Sequence, residues 1–218
     1  HVVTRRQRQM CIRDSLEALQ SRWQEWRKAS EEFNNHSEII KRGVGIGCCW
    51  YGCGNTSMSN PSTMRVGINS EGTITLYNGA MDIGQGANTI MIQICAEALG
   101  LPASSFQFIM GDTDLTADAG KTSASRQAFV SGRASQLAGE HLRTQIIHLA
   151  EAEEDANLSL DGSTLWVQDK NGEHSILLSD LLPRTNGDVL VGEGTFDPPT
   201  TKLDENGQGS PYATYGFG

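Results

Sequence analysis

The segment from about Ala87 to Leu99 constrains this chain more than any other. Ile90, Met91, Ile92, Ile94, Cys95, Ala98 and Leu99 leave only Gln93 and Glu97 as a polar stripe. A helix of that composition has to be covered on most sides, so the fold must be built in layers around it. A second helix is predicted from about Arg126 to Glu151, with Val130, Ala134, Leu137, Leu142, Ile146 and Leu149 on one face. Its Gly132 and Gly139 mark places where another backbone could come close. Strand patterns surround the two helices. Thr63–Asn69 and Thr73–Tyr77 alternate about the turn Ser70-Glu71-Gly72, and Phe106–Met110 forms a short strand. Thr164–Gln168 precedes the hairpin signal Asn171-Gly172, and Val189–Gly194 leads to a proline loop at Asp197-Pro198-Pro199. This order predicts an α+β fold of mixed sheets with packed helices and no clean βαβ series.

The first quarter of the chain has a different texture. Residues 16–41 read as one helix, with Leu16, Leu19, Trp23, Trp26, Phe33 and Ile40 on a stripe interrupted by Ser30 and Ser37. Lys41 and Arg42 suit its C-terminal dipole and Gly43 its exit. Two serines in the seam weigh against a coiled coil, so 15–42 is expected to be a linker helix. Residues 43–55 read as a glycine-rich strand entering a loop. Residues 1–14 carry Arg5, Arg6, Arg8 and Arg13 against Asp14, without the apolar run of a signal peptide. The stretch from Val2 to Ser15 resembles a translated sequencing-adaptor scar of the kind found in assembled metagenomic sequences. Pro211–Gly218 enters a strand without a cap, which points to an internal piece of a longer chain, with 43–218 a partial domain.

Net charge and apolar content narrow the function classes. A formal charge of −9 argues against a nucleic-acid surface. No run approaches the roughly 18 apolar residues of a membrane span. Five cysteines, an odd number at irregular spacings, do not make a secreted disulfide framework, so a reduced cytoplasmic setting is expected. Cys48, Cys49 and Cys53 lack the paired spacing of zinc or iron–sulfur sites, and the histidines, His141 and His148 included, form no ligand set. No metal ligand is therefore expected.

Two loops carry the chemistry, each just before a predicted helix. In Met81-Asp82-Ile83-Gly84-Gln85-Gly86-Ala87-Asn88, the small residues Gly84, Gly86 and Ala87 admit a ligand to the backbone. The helix start offers N–H donors, and Gln85 can both donate and accept. The plain alternative is a glycine turn with an N-cap. In Asp118–Gln127, hydroxyls at Thr122, Ser123 and Ser125 stand with Lys121 and Arg126 at another helix start, suited to phosphate or a polar heterocycle. The plain alternative is a capped helix with surface Lys and Arg. Familiar motifs fail. A P-loop needs glycine where Leu115 stands, a dinucleotide fingerprint needs it at Cys48, and a calcium loop is spoiled by Ala117 and Ser123.

Taken together, Asp82-Ile83-Gly84-Gln85-Gly86-Ala87-Asn88, Gly111-Asp112-Thr113-Asp114 and Gly120–Gln127 resemble the molybdenum hydroxylases, the xanthine dehydrogenase and aldehyde oxidase enzymes, in their molybdopterin-binding large subunit. The helix ending Lys41-Arg42-Gly43 and the segments Gly192–Pro199 and Pro211–Phe217 are similar too. The resemblance implies a molybdenum ion held by the dithiolene of a pyranopterin, often extended with cytosine dinucleotide in bacterial members. It implies hydroxylation of an aldehyde or N-heterocycle with water as oxygen source and a glutamate as base. Electrons would leave through 2Fe–2S clusters, commonly to FAD, in other domains or subunits of an oligomer. By position, Gly84, Gln85, Gly86 and Ala87 would line the pterin near the dithiolene. Thr122, Ser123, Ala124, Ser125, Arg126 and Gln127 would hold its pterin and phosphate end. The family's catalytic glutamate is expected beyond Gly218, and Glu97, Asp112 and Asp118 do not match it. The piece alone should then be inactive. A phosphate- or nucleotide-binding module without redox chemistry, centred on Gly120–Arg126, is the competing reading.

Overall fold

The computed structural model describes residues 5–47 and 58–210, with side chains from Leu16 onward in the first helix. Cys48, Cys49, Cys53 and the strand expected at 211–218 lie outside the described residues. The chain divides into two compact units, His1–Tyr51 and Gly52–Gly218.

The first unit is the helix α1, Arg5–His36. It starts inside the basic stretch that the sequence set apart and ends before Lys41, where the periodicity placed its end. The chain turns back after His36 because Lys41 Nζ donates to the carbonyls of Asn34 and Ser37, at 2.7 and 2.6 Å. The Asn34 amide meanwhile exchanges two hydrogen bonds with the Arg42 backbone, and the Arg42 guanidinium sits 3.8 Å over the Phe33 ring. Both cations thus serve the helix C-terminus from beyond its end. Residues 43–47, read as the start of a strand, are irregular.

The second unit holds two sheets. Strands β1 (Ser62–Asn69) and β2 (Ile74–Asn78) form the expected hairpin, and Asn69 Oδ1 accepts from the N–H groups of Glu71 and Thr73 in its turn. Helix α2 (Ala87–Leu99) then crosses to β3 (Phe106–Met110), which pairs with β2 in parallel. This single βαβ crossover makes the sheet mixed. A π-helical turn, Gln127–Ser131, runs into α3 (Gly132–Leu149). A three-stranded antiparallel sheet follows, β4 (Asn157–Asp161), β5 (Thr164–Asp169) and β6 (Gly172–Leu177). The long strand β7 (Asp188–Phe196) returns to pair with β1, giving the order β3-β2-β1-β7.

Alternation decides which face of the four-stranded sheet is buried. Met64, Val66, Ile68, Ile74 and Leu76 point to one side, where they meet Met91, Cys95 and Leu99 of α2 and Ala134, Ala138, Leu142 and Ile146 of α3. Glycine sets how close the layers come. A Cβ on Gly194 would strike the Ala134 carbonyl, and one on Gly192 the Ala138 carbonyl, so α3 lies directly on the β7 backbone. Gly139 does the same toward α2, where a Cβ would stand 2.7 Å from the Cys95 carbonyl. α2 is covered less fully than its composition demands. Ala87, Met91, Cys95, Ala96 and Leu99 are buried, while Ile90 is exposed and Ile92 only partly covered. α3 also bonds to β7 on the side away from β1, where Gln145 donates to the Val191 carbonyl and His141 Nδ1 accepts from the Glu193 N–H. Side chains that engage strand groups in this way leave fewer of them for pairing with another chain.

On the opposite face, Asp188 fills the space above Gly67 and accepts from the Tyr77 hydroxyl at 3.0 Å and the Asn186 amide at 2.7 Å. Burial pushes the Asp188 carboxyl above its ordinary range, against the hydrogen bonds and the nearby Arg65 and Arg184, and pushes Tyr77 up to about 12.

Two outcomes follow for the intact chain. Gly194→Ala should lower stability by about 1–3 kcal/mol through overpacking, read as a lower melting temperature. A carboxyl raised in the folded state contributes stability below its unfolded pKa and loses it as pH rises through the folded pKa. Asp188→Asn should therefore gain on the wild type in melting temperature as pH is raised from about 3 to about 7. An unchanged difference across that range would count against it.

Candidate functional site

β2 ends at Asn78 and β3 at Met110, side by side and parallel, so the loops that follow them leave from one edge. The carboxyl ends of parallel strands are where open sheets gather ligands. The loops are also joined. Thr122 Oγ1 donates to the Met81 carbonyl at 2.6 Å, and Gly79 packs against the Ala117 carbonyl so closely that a Cβ would not fit. The Gly111 N–H donates to the Asn78 carbonyl at 2.9 Å.

The first loop is organised by Asp82, which the sequence analysis quoted in its motif but gave no role. Its Oδ1 accepts from the Gly84 N–H at 2.7 Å and the Gly86 N–H at 3.4 Å, and its Oδ2 from the Asn88 N–H at 3.2 Å. These bonds, that from Gly84 first, hold the carboxyl below its ordinary range. At the start of α2, where the sequence analysis expected open N–H donors, an internal carboxylate takes that of Asn88. Gly84 and Gly86 have φ of 107° and 77°, the left-handed region that requires glycine. Gln85 Oε1 accepts from the Ile83 N–H at 2.8 Å, which fixes the amide's orientation. Its acceptor is used within the loop, and the exposed side chain presents the Nε2 donors. Ala87 is buried as the first residue of α2.

In the second loop Arg126, expected to help hold the pterin and phosphate end, is fully buried. Its Nη1 donates to the carbonyls of Ala119 (2.6 Å) and Lys121 (3.1 Å), its Nη2 to those of Asn60 (3.0 Å) and Pro61 (2.8 Å). Gly120, at φ 70°, lies against the guanidinium, where a Cβ would stand 2.8 Å from Nη1. The assignment of Arg126 to a phosphate gives way to a role in tying this loop to the chain entering β1. Ala124 and Ser125 are both left-handed at φ 55°. Thr122, Ser123 and Ala124 are half-buried, while Ser125 and Lys121 are exposed. Gln127 is buried, and its Nε2 donates to Thr122 Oγ1 at 3.0 Å.

Three amide atoms at this end of the sheet, Asn78 Nδ2, Asn88 Oδ1 and Gln127 Oε1, are buried without a hydrogen-bond partner among the described residues. Unpaired buried amides in a folded protein call for a partner such as a ligand or water. With the exposed Gln85 amide, they are the neutral polar groups that the two loops and their flanking residues leave without a full set of partners. The acids considered as bases do other work. Glu97 is exposed on α2, Asp112 Oδ1 accepts from the N–H groups of Asp114 and Leu115, and Asp118 Oδ1 accepts from that of Gly120. Among the described residues, no group of three His, Cys, Asp or Glu is arranged to hold a metal ion, and no helix is long and apolar enough to cross a membrane.

The model of the molybdopterin cofactor-binding domain matches residues 17–218. The chain belongs to that family. It is 33% identical over 166 residues to the xanthine dehydrogenase molybdenum-binding subunit of Escherichia coli, covering 72% of this chain and 22% of that protein. It is 33% identical over 143 residues to the xanthine dehydrogenase of Calliphora vicina, covering 65% of this chain and 10% of that protein. Among solved structures, the aldehyde oxidoreductase of Desulfovibrio desulfuricans superposes with a TM-score of 0.54 at 25% identity, over 90% of this chain and 19% of that one. The chain thus spans about a fifth of these bacterial relatives, in agreement with the α+β class and the family resemblance read from its loops.

Arg126→Ala should strand the carbonyls of Asn60, Pro61, Ala119 and Lys121, at about 1–3 kcal/mol for each group left unsatisfied. A fall in melting temperature together with proteolytic sensitivity at 119–126 is the expected result. An unchanged melt would show that the guanidinium does not hold the loop.

Proposed function

We propose that the chain is part of a molybdenum-cofactor-dependent oxidoreductase that hydroxylates an aldehyde or a purine-like N-heterocycle. The observation that carries this reading is the meeting of the two loops at one sheet edge, where the Gln85 donors and the unpaired amides of Asn78, Asn88 and Gln127 lie. When bound, the molybdenum–pyranopterin, in its simple or cytosine dinucleotide form, supplies the oxidising centre. This chain's residues bind and orient it. Gly84 and Gly86 leave open space, since a Cβ on either would have nothing within 4 Å. Gln85 donates from one side, and Gln127 with the hydroxyls of Thr122, Ser123 and Ser125 offers polar contacts from the other. The base is expected from outside 1–218, which leaves this chain inactive alone. Iron–sulfur and flavin domains or subunits would carry electrons away in a cytoplasmic oligomer. In this reading 43–218 is part of the cofactor-binding domain, 15–42 a linker helix, and 1–14 foreign to it.

The phosphate-module alternative is the weaker one. Arg126 donates to backbone carbonyls and Asp82 places a negative charge at the start of α2, so Lys121 is the exposed cation left in the two loops. Gln85→Ala in the longer protein should reduce molybdenum retained through purification by about three- to tenfold, the worth of one hydrogen bond. Unaltered molybdenum and pterin content would sink the reading.

A further inference from the structure

Asp82 lies four residues before the first residue flanking α2, too early for an ordinary cap, yet it collects N–H groups two, four and six residues ahead. The loop it spans would otherwise be loose, since Gly84 and Gly86 add no side chain and Ile83 is exposed. A second anchor acts on the same stretch, because Met110 Sδ accepts from the Asp82 N–H and from Asn88 Nδ2, each at 3.2 Å. Asp82 is therefore fixed at its own backbone by β3, and its carboxylate fixes the residues on both sides of Gln85.

We propose that Asp82 is a positioning residue: its carboxylate gathers the backbone of Gly84, Gly86 and Asn88, and so holds the Gln85 amide ready before any ligand arrives. The inference rests on the proposed function only in naming the molybdenum–pterin as what Gln85 meets. Its carboxylate accepts from backbone N–H groups, so its role is exerted through Gln85. An internal anion at the helix start also repels other anions, so this loop receives a group that accepts hydrogen bonds without bringing a phosphate to the N–H groups. Protonation would release one of the carboxylate's accepting oxygens, and the bonds it receives resist that to below the ordinary carboxylate range.

The test has two arms. In the 218-residue chain without cofactor, amide exchange at Gly84, Gly86 and Asn88 should speed up by about tenfold in Asp82→Ala, the scale of a lost cap, and be largely restored in Asp82→Asn, which keeps one accepting oxygen. The wild type should lose this protection only as the solution is made acidic enough to protonate Asp82, a dependence Asp82→Ala lacks. In the longer protein, molybdenum content is compared for Asp82→Ala, Gln85→Ala and the double variant. If Asp82 acts through Gln85, the double variant should retain as much as Gln85→Ala alone. Exchange unchanged in Asp82→Ala, or losses that multiply in the double variant, would overturn the proposal. Altered exchange with molybdenum content untouched in every variant would uphold Asp82 as the holder of Gln85 and refute the cofactor reading instead.

Discussion

A buried guanidinium makes four of the hydrogen bonds that tie the second loop to the sheet, beside the Thr63 N–H that donates to the Asp118 carbonyl. Arg126 joins the carbonyls of Asn60 and Pro61, which lead into β1, to those of Ala119 and Lys121. To reach that position the chain passes through Ala124 and Ser125 in the left-handed region, a strain of about 1–3 kcal/mol at each residue. Such strain persists only where the surroundings over-determine it, and four hydrogen bonds from a charged donor do so here. Asp197 steadies the far side, accepting from the Asn60 N–H at 2.8 Å and from the Ser59 hydroxyl at 2.5 Å. The chain entering β1 is thus gripped from both sides, and the loop's hydroxyl groups are held by the same linkage.

Carboxylates do comparable work elsewhere, which changes the meaning of the acidic balance. Asp82, Asp112, Asp118, Asp169 and Asp204 each accept from the N–H two residues ahead, making a series of Asx turns. The net charge of −9 repels nucleic acid at a distance, but several of these acids are loop fasteners in close contact with backbone amides. Charge in this protein therefore organises the loops from within.

Periodicity made much of the fold readable. The β1–β2 hairpin, both core helices, β3, β5 and β7 lie where alternation and helical spacing placed them. Gly139, Gly192 and Gly194 sit at backbone contacts, of which only Gly139 was anticipated, because a helix glycine with packing neighbours is conspicuous while a strand glycine looks like a weak position. β4 went unread although Asp161-Gly162 is a turn signal, and the parallel pairing of β2 with β3 is a long-range choice that local pattern does not contain. Both loops that the sequence singled out leave the same end of the sheet, and their charges bond to backbone in ways that local pattern does not show. Arg126 read as a ligand for the pterin and phosphate end, and nothing local shows that four carbonyls converge on it. Asp82 could have been found, since an aspartate two residues before a glycine announces an Asx turn.

The way the loops spend their own groups decides what they can recognise. A helix start and an arginine are the usual means of holding an anion, and both are present in this sequence. The fold draws on both, the first through Asp82 at the Asn88 N–H and the second through backbone carbonyls. Gln85 accepts from Ile83 and has both Nε2 donors exposed, while Gln127 donates to Thr122 and keeps a buried, unpaired Oε1. These two amides lie on loops that touch at Thr122 and Met81. Neutral groups with fixed direction discriminate by geometry, because each buried donor or acceptor left unmatched carries its own desolvation cost. A flat ring with donors and acceptors on its rim satisfies that requirement better than a diffuse charge does. If these loops hold the proposed cofactor, their recognition of it is consequently directional.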